Sequence, residues 1–235
     1  MRDTKQTSTS TGHTVDPGEV EKFTAMAASW WDPDGDFRPL HKINPTRLRF
    51  ITEEIAAHFD RDLDTPNPLA GLRILDVGCG GGLVCEPLAR LGAQVTGVDA
   101  TPANIPVAEI HAEQMGLEID YRVATVAELV EAGERFDVVL ALEIIEHVND
   151  PPAFVADVIG ARAEGGQVLV VTHSPQVAAL GAHHWRVEKR VVNDLTLSTI
   201  TPLADGARID EIARMVSGDT ITDEARAAAR ALLQG

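Results

Sequence analysis

Leu72-Arg73-Ile74-Leu75-Asp76-Val77-Gly78-Cys79-Gly80-Gly81-Gly82-Leu83 decides how this chain is read. Ile74 to Val77 is a short apolar run with the length and β-branched content of a buried strand. It runs into Gly78, Gly80, Gly81 and Gly82, where the backbone can turn tightly and approach a ligand with no Cβ in the way. Leu83 to Leu91 reads as a helix whose free N-terminal amides would face that ligand. Strand, glycine turn and helix make a nucleotide-type site, and the spacing narrows it. A dinucleotide fingerprint needs G-x-G-x-x-G, but the last position is Leu83 counted from Gly78 and Cys85 counted from Gly80. No G-x-x-x-x-G-K-[ST] phosphate loop occurs in the chain. The plain alternative is a glycine turn with no ligand.

Working outward, strand-like and helical stretches alternate, the signature of a doubly wound, mainly parallel α/β sheet. The later strands are expected at Gln94–Val98, Ile119–Val123, Phe136–Leu142 and Gln167–Thr172. Ligands of such sheets bind beyond the carboxyl ends of the strands, where Asp76, Gly78, Asp99 and Glu143 would stand. Asp99 closes the second strand and can accept ribose hydroxyls, or cap the helix expected from Pro102, or do both. If Glu143 to His147 is helical, Glu143, Glu146 and His147 share one face and could bind a divalent cation or supply a base. They are equally readable as acidic residues favoured at a helix start, with His147 merely packed. Arg47 can hold a carboxylate through a bidentate pair or be a surface arginine. Trp30 and Trp31 lie on a helical pattern from Glu19 to Trp31 and read as core or lid first, stacking residues second.

Composition bounds these readings. At 235 residues with 44% hydrophobic content, the chain can bury one α/β core plus an extension. No apolar run approaches the ~18 residues of a membrane span, and the N-terminus carries no signal-peptide pattern. Cys79 and Cys85 form no metal pattern, so a cytoplasmic protein without disulfides is expected. A formal net charge of −16 argues against a nucleic-acid partner. The expected organisation is a disordered lead over 1–17, an N-terminal helical lid segment over 18–69, an α/β core over 70–172 and an atypical extension over 173–235. Within the lid segment, Asp32 to Asp36 is a turn and a helix is expected from about Thr46 to Phe59.

The pattern Asp76-x-Gly78-x-Gly80-x-Gly82 resembles the first motif of class I methyltransferases that use S-adenosylmethionine (SAM). Ser29-Trp-Trp-Asp32, Phe37-Arg-Pro-Leu-His-Lys-Ile-Asn-Pro-Thr-Arg47, Leu75 to Gly82, Val95 to Asp99 and Glu143-Ile-Ile-Glu-His-Val148 together resemble the ubiquinone biosynthesis O-methyltransferase family over about residues 19–155. The resemblance implies SAM contacts at Arg47, Gly78, Asp99 and Leu142, with Asp76 and Gly80 in the same motif. It implies a divalent cation, Mg²⁺, at Glu143, Glu146 and His147, with His147 and Glu143 as the catalytic groups. It implies O-methylation of a polyprenylated catechol or demethylubiquinol. The work would be done at the inner membrane face, beside other ubiquinone biosynthesis proteins. From about residue 160 the chain instead resembles the C-terminal end of RecN-type DNA repair ATPases, through Gly165 to Ala179, His183 to Arg190 and Ile209 to Met215. In that family the histidine corresponding to His173 senses the nucleotide γ-phosphate. A junction within 155–168 is therefore expected, with a hairpin around Asn193-Asp194 and helices over 207–217 and 222–233. The alternative function is then a SAM-binding chimera that has lost turnover with its substrate half.

Overall fold

A computed structural model describes residues 14–192 and 195–234, with the backbone alone for 190–192 and 195–197. Five strands form one parallel sheet in the order β3-β2-β1-β4-β5: β1 (Arg73–Val77), β2 (Gln94–Asp99), β3 (Asp120–Val123), β4 (Phe136–Leu142) and β5 (Arg162–Val171). Ile74 stands beside Val95 on one side and Val138 on the other, so β1 lies at the centre and its carboxyl end opens where the strand order reverses. Both faces of this central strand are covered, which is why its apolar run is continuous rather than alternating. Ile74, Val138 and Leu140 face α2 (Arg38–His58), α3 (Cys85–Arg90) and α4 (Asn104–Gln114). Leu75, Val139 and Ala141, offset by one residue, face α5 (Val126–Glu131) and α6 (Pro151–Gly160). Each fully buried Leu, Ile or Phe here, Phe136 among them, contributes roughly 1.5–3 kcal/mol through the apolar surface it removes from water.

Local chemistry sets the helix starts. Thr125 and Glu128 form a reciprocal capping box on α5, and Asp150 caps α6 at the Ala153 amide (3.1 Å), with Pro151 in its first turn. At the N-terminus, Asp16 caps α1 (Pro17–Met26) through the Gly18 amide (2.8 Å). Of the lead expected to be disordered, residues 1–13 lie outside the described residues. Thr14 to Asp16 depart from that expectation, because Val15 bridges Val148 and the Asn149 amide donates to the Thr14 carbonyl at 2.9 Å. The second helix also begins earlier than expected, at Arg38. Pro39 fits its first turn, where the missing N–H would be unsatisfied anyway, and Pro45 is carried inside the helix.

The C-terminal part is where the sequence reading needs correction. No break falls within 155–168: α6 leads directly into β5, which pairs in parallel with β4 from Val138–Gln167 to Leu142–Val171. Val177 of α7 (Pro175–Leu180) packs in the same core as Phe136, Val139 and Phe154. The expected hairpin exists as β6 (Trp185–Val192) and β7 (Leu195–Pro202), with its turn at Asn193-Asp194 outside the described residues. It forms a sheet of its own rather than extending the main one, and Trp185 meets Phe50 of α2 edge-on at 5.4 Å. Beyond it, α8 (Asp205–Ser217) and α9 (Asp223–Gln234) close over α7 through Ala179, Ile212, Ala213, Ala225 and Ala229. Among the described residues no helix is long and apolar enough to cross a membrane.

Candidate functional site

The glycine turn is built by backbone bonds to β2 and by one carboxylate. Gly78 and Cys79 donate to the Val98 carbonyl at 2.8 and 3.0 Å, while Gly80 donates to Asp99 Oδ2 at 2.9 Å. Asp99 Oδ1 accepts from the Thr101 amide at 2.7 Å. The aspartate thus ties the turn to the end of β2 and caps the Thr101 turn. It does not cap α4, which starts at Asn104 with no side-chain cap. Burial raises the Asp99 pKa, opposed by the two amide bonds and by the Asn104 and Thr101 side chains.

Gly80 and Gly81 are roofed by indole. Trp30 lies flat over them, stacked on Phe37 at 3.6 Å and donating from Nε1 to Asn104 Oδ1 at 2.8 Å. Trp31 donates to the Gly81 carbonyl at 2.9 Å and stacks on His111 at 3.5 Å, whose ring pairs with buried Glu86. The tryptophans are therefore a clamp between the N-terminal segment and the glycine turn, the core-or-lid option. Cys79 and Cys85 are buried free thiols, and Cys85 donates to Asp76 Oδ2 at 3.2 Å.

One cavity opens at the carboxyl ends of β1, β2 and β4. Arg47, Asp76, Gly78, Asp99, Leu142, Glu143 and His147 all line it; Gly80 does not, being covered by Trp30, and neither does Glu146. Burial lowers the pKa of Arg47, with Asp76 and Glu143 acting in the opposite sense. Burial pushes Asp76 up to about 6 against the Cys85 bond and the Arg47 charge. Thr14, Val15, Glu19, Val20 and Phe23 close the cavity from the N-terminal side. Sequence reasoning missed Thr14 and Val15 because it placed them in a disordered lead, and missed Glu19, Val20 and Phe23 because their periodicity announces a helix but not what it covers.

The segment after β4 is not a helix with three groups on one face. Glu143 adopts φ +56°, a left-handed conformation strained for a glutamate, while its amide donates to the Val171 carbonyl at 2.9 Å. A single 3-10 turn, Ile145–His147, follows. The side chains consequently diverge. His147 Nδ1 meets Glu19 Oε2 at 2.8 Å, with Phe23 edge-on to the ring. Glu146 Oε1 turns the other way, accepting from the Thr172 hydroxyl (2.5 Å) and the His173 amide (2.9 Å), and lies 3.2 Å from His173 Nδ1. Burial raises the Glu146 pKa, but those two bonds, a bond from its own backbone amide and the His173 charge together outweigh it, so its net shift is downward. Glu143 is shifted upward by burial and by Glu146, opposed by His173, Arg47 and Lys189. Among the described residues, the ligand atoms gathered within 4.8 Å of one another belong to Glu143, Glu146 and His173. His147, the third member of the set implied by the resemblance, is not among them.

A family model described as a methyltransferase domain matches residues 75–170. The chain is 60% identical over 159 residues to a ubiquinone biosynthesis O-methyltransferase of Cereibacter sphaeroides (strain ATCC 17025 / ATH 2.4.3), covering 68% of this chain and 64% of that relative. The chain thus spans slightly less than two thirds of that relative's length. The same-named protein of Ruegeria pomeroyi is 56% identical over 175 residues, covering 72% of this chain and 71% of the relative. That of Dinoroseobacter shibae is 48% identical over 220 residues, covering 87% and 86%. An alignment over 87% of the chain must run well past residue 160, so the tail belongs with the rest. This overturns the RecN-type resemblance, the γ-phosphate role it gave His173 and the chimera built on it. Among solved structures, the magnesium protoporphyrin IX methyltransferase of Synechocystis PCC 6803 with bound SAM matches with a TM-score of 0.53 at 16% identity, covering 78% of this chain and 93% of that one. That likeness shows the fold, a class I methyltransferase sheet with N-terminal helices and a C-terminal hairpin and helices.

Proposed function

The chain belongs to the ubiquinone biosynthesis O-methyltransferase family, and from that premise we propose that it methylates a phenolic oxygen of a polyprenylated catechol or demethylubiquinol, with SAM as donor. The observation that carries this reading is that Arg47, Asp76, Gly78, Asp99, Leu142, Glu143 and His147 line one and the same cavity. SAM supplies an already activated methyl group, so the chain's work is to align the two reactants and remove one proton. Asp99 takes the ribose hydroxyls, Arg47 the amino-acid carboxylate, and Gly78 and Leu142 give the backbone close approach. A phenol has a pKa near ~10, so its proton needs an acceptor at neutral pH. His147 is that acceptor: Glu19 holds Nδ1, which leaves Nε2 to take the proton as the oxygen accepts the methyl group. A polyprenyl tail brings the substrate from a membrane surface, and the ring end enters beneath Thr14 to Phe23.

Calorimetry with SAM beside turnover of a demethylated quinol tests the proposal. His147→Ala should leave SAM affinity within about threefold while lowering turnover by about 10²-fold or more. Equal loss of both would remove His147 from the chemistry, and absence of turnover in the unaltered protein would remove the substrate assignment.

The divalent ion implied by the resemblance finds fitting donors, because Glu146 Oε2 is buried without a hydrogen-bond partner beside Glu143 and His173. Those three residues would hold it, and a bound ion would stabilise a phenolate. An imidazole donor suits Mn²⁺ or Zn²⁺ better than Mg²⁺. Mn²⁺ titration of the SAM-free protein should show affinity falling at least about tenfold in His173→Ala and little change in His147→Ala. The reverse order would restore the implied set.

A further inference from the structure

We propose that Asn44 is the positioning residue that aims Arg47 at the carboxylate of the cofactor's amino-acid end, an inference that rests on the methyl-transfer reading above. Asn44 and Arg47 are one turn apart on α2. Asn44 Oδ1 accepts from Arg47 Nε at 3.2 Å and from Nη2 at 2.7 Å, while Asn44 Nδ2 donates to the Leu83 carbonyl at 2.9 Å. The amide orientation is forced: a guanidinium has only donors and a carbonyl only an acceptor, so neither bond survives a flip. Leu83 follows the last glycine of the turn, so the bond also references the arginine to the loop that shapes the site.

The consequence is geometric. With the Nε–Nη2 edge occupied by Asn44, the bidentate pair left to Arg47 for a carboxylate is the Nη1–Nη2 fork. Asp76 and Glu143 line the same cavity and attract the guanidinium, yet among the described residues neither comes within 4.0 Å of it. Without the Asn44 carbonyl, nothing on α2 opposes a swing toward these acids. Arg47 would then pair with the protein and no longer be free for the ligand.

The test uses two nucleosides that differ at the end in question. S-adenosylhomocysteine carries the amino-acid carboxylate, and 5′-methylthioadenosine lacks it. In the full-length protein, Asn44→Ala should weaken S-adenosylhomocysteine about tenfold and leave 5′-methylthioadenosine within about twofold. In an Arg47→Ala background, Asn44→Ala should add nothing further for S-adenosylhomocysteine. Equal weakening of both nucleosides, or full additivity with Arg47→Ala, overturns the assignment and leaves Asn44 a link between α2 and Leu83. Unaltered protein that binds the two nucleosides equally, or neither, overturns the cofactor reading and this inference with it.

Discussion

Gly80→Ala is expected to destabilise the fold by about 2–5 kcal/mol, combining a left-handed backbone penalty of about 1–2 kcal/mol with an overpacking cost of about 1–3 kcal/mol. Gly80 has φ +54°, and a Cβ built there would overlap the six-membered ring of Trp30. That ring cannot step aside cheaply, because it is stacked on Phe37 and hydrogen-bonded to buried Asn104. The same substitution would strain the bond from the Gly80 amide to Asp99, so SAM affinity should fall along with stability. Urea unfolding with near-ultraviolet dichroism of the tryptophans reads the first effect, and calorimetry reads the second. A Trp30→Ala background separates the two causes: if the indole is the obstacle, Gly80→Ala should there cost only the ~1–2 kcal/mol of backbone strain. An undiminished cost in that background would place the obstacle elsewhere.

The contrast between this turn and the segment after β4 explains what was legible in the sequence. Asp76, the glycines and Asp99 are related by chain-local rules: strand, turn, helix, and a carboxylate at the next strand end. Their spacing therefore survives translation into three dimensions. Glu143, Glu146 and His147 are also adjacent in sequence, yet their directions are set by remote partners. The Glu143 amide is drawn to Val171, Glu146 to Thr172 and His173, and His147 to Glu19 on α1. No helical wheel contains that information. The tail was misread for a related reason. Alternation over 185–202 reveals a hairpin and periodicity beyond 205 reveals helices. That Val177 joins the sheet core and Trp185 rests on Phe50 is visible only once the chain has folded.

Asp76→Asn should stabilise the SAM-free protein at pH 7.5 while weakening SAM at least about tenfold. Asp76 is buried, 3% exposed, with its pKa pushed up to about 6 from an ordinary 3.8. A carboxyl whose folded pKa lies above its unfolded one binds more protons in the folded state through that interval, so stability falls as pH rises across it. Between about pH 4 and pH 7 the loss approaches about 3 kcal/mol, from a shift of roughly two units at 1.36 kcal/mol each. An asparagine keeps an oxygen to accept from Cys85 and has no charge to desolvate. The variant's advantage should therefore be about 3 kcal/mol at pH 7.5, about half that at pH 5 and close to nothing at pH 3, read as the difference between two urea titrations at each pH. The affinity change is expected to have the opposite sign, because a cationic ligand bound in this cavity would favour an ionised Asp76 and could donate to it. Removing a charge-assisted hydrogen bond there costs about 1.5–3 kcal/mol. A pH-independent stability difference would show that Asp76 is ionised at no cost in the folded state. Unchanged SAM affinity would show that its charge serves something other than the cofactor. If both effects appear, the aspartate at the end of β1 is one the fold would be better without, kept in place by what the cavity binds.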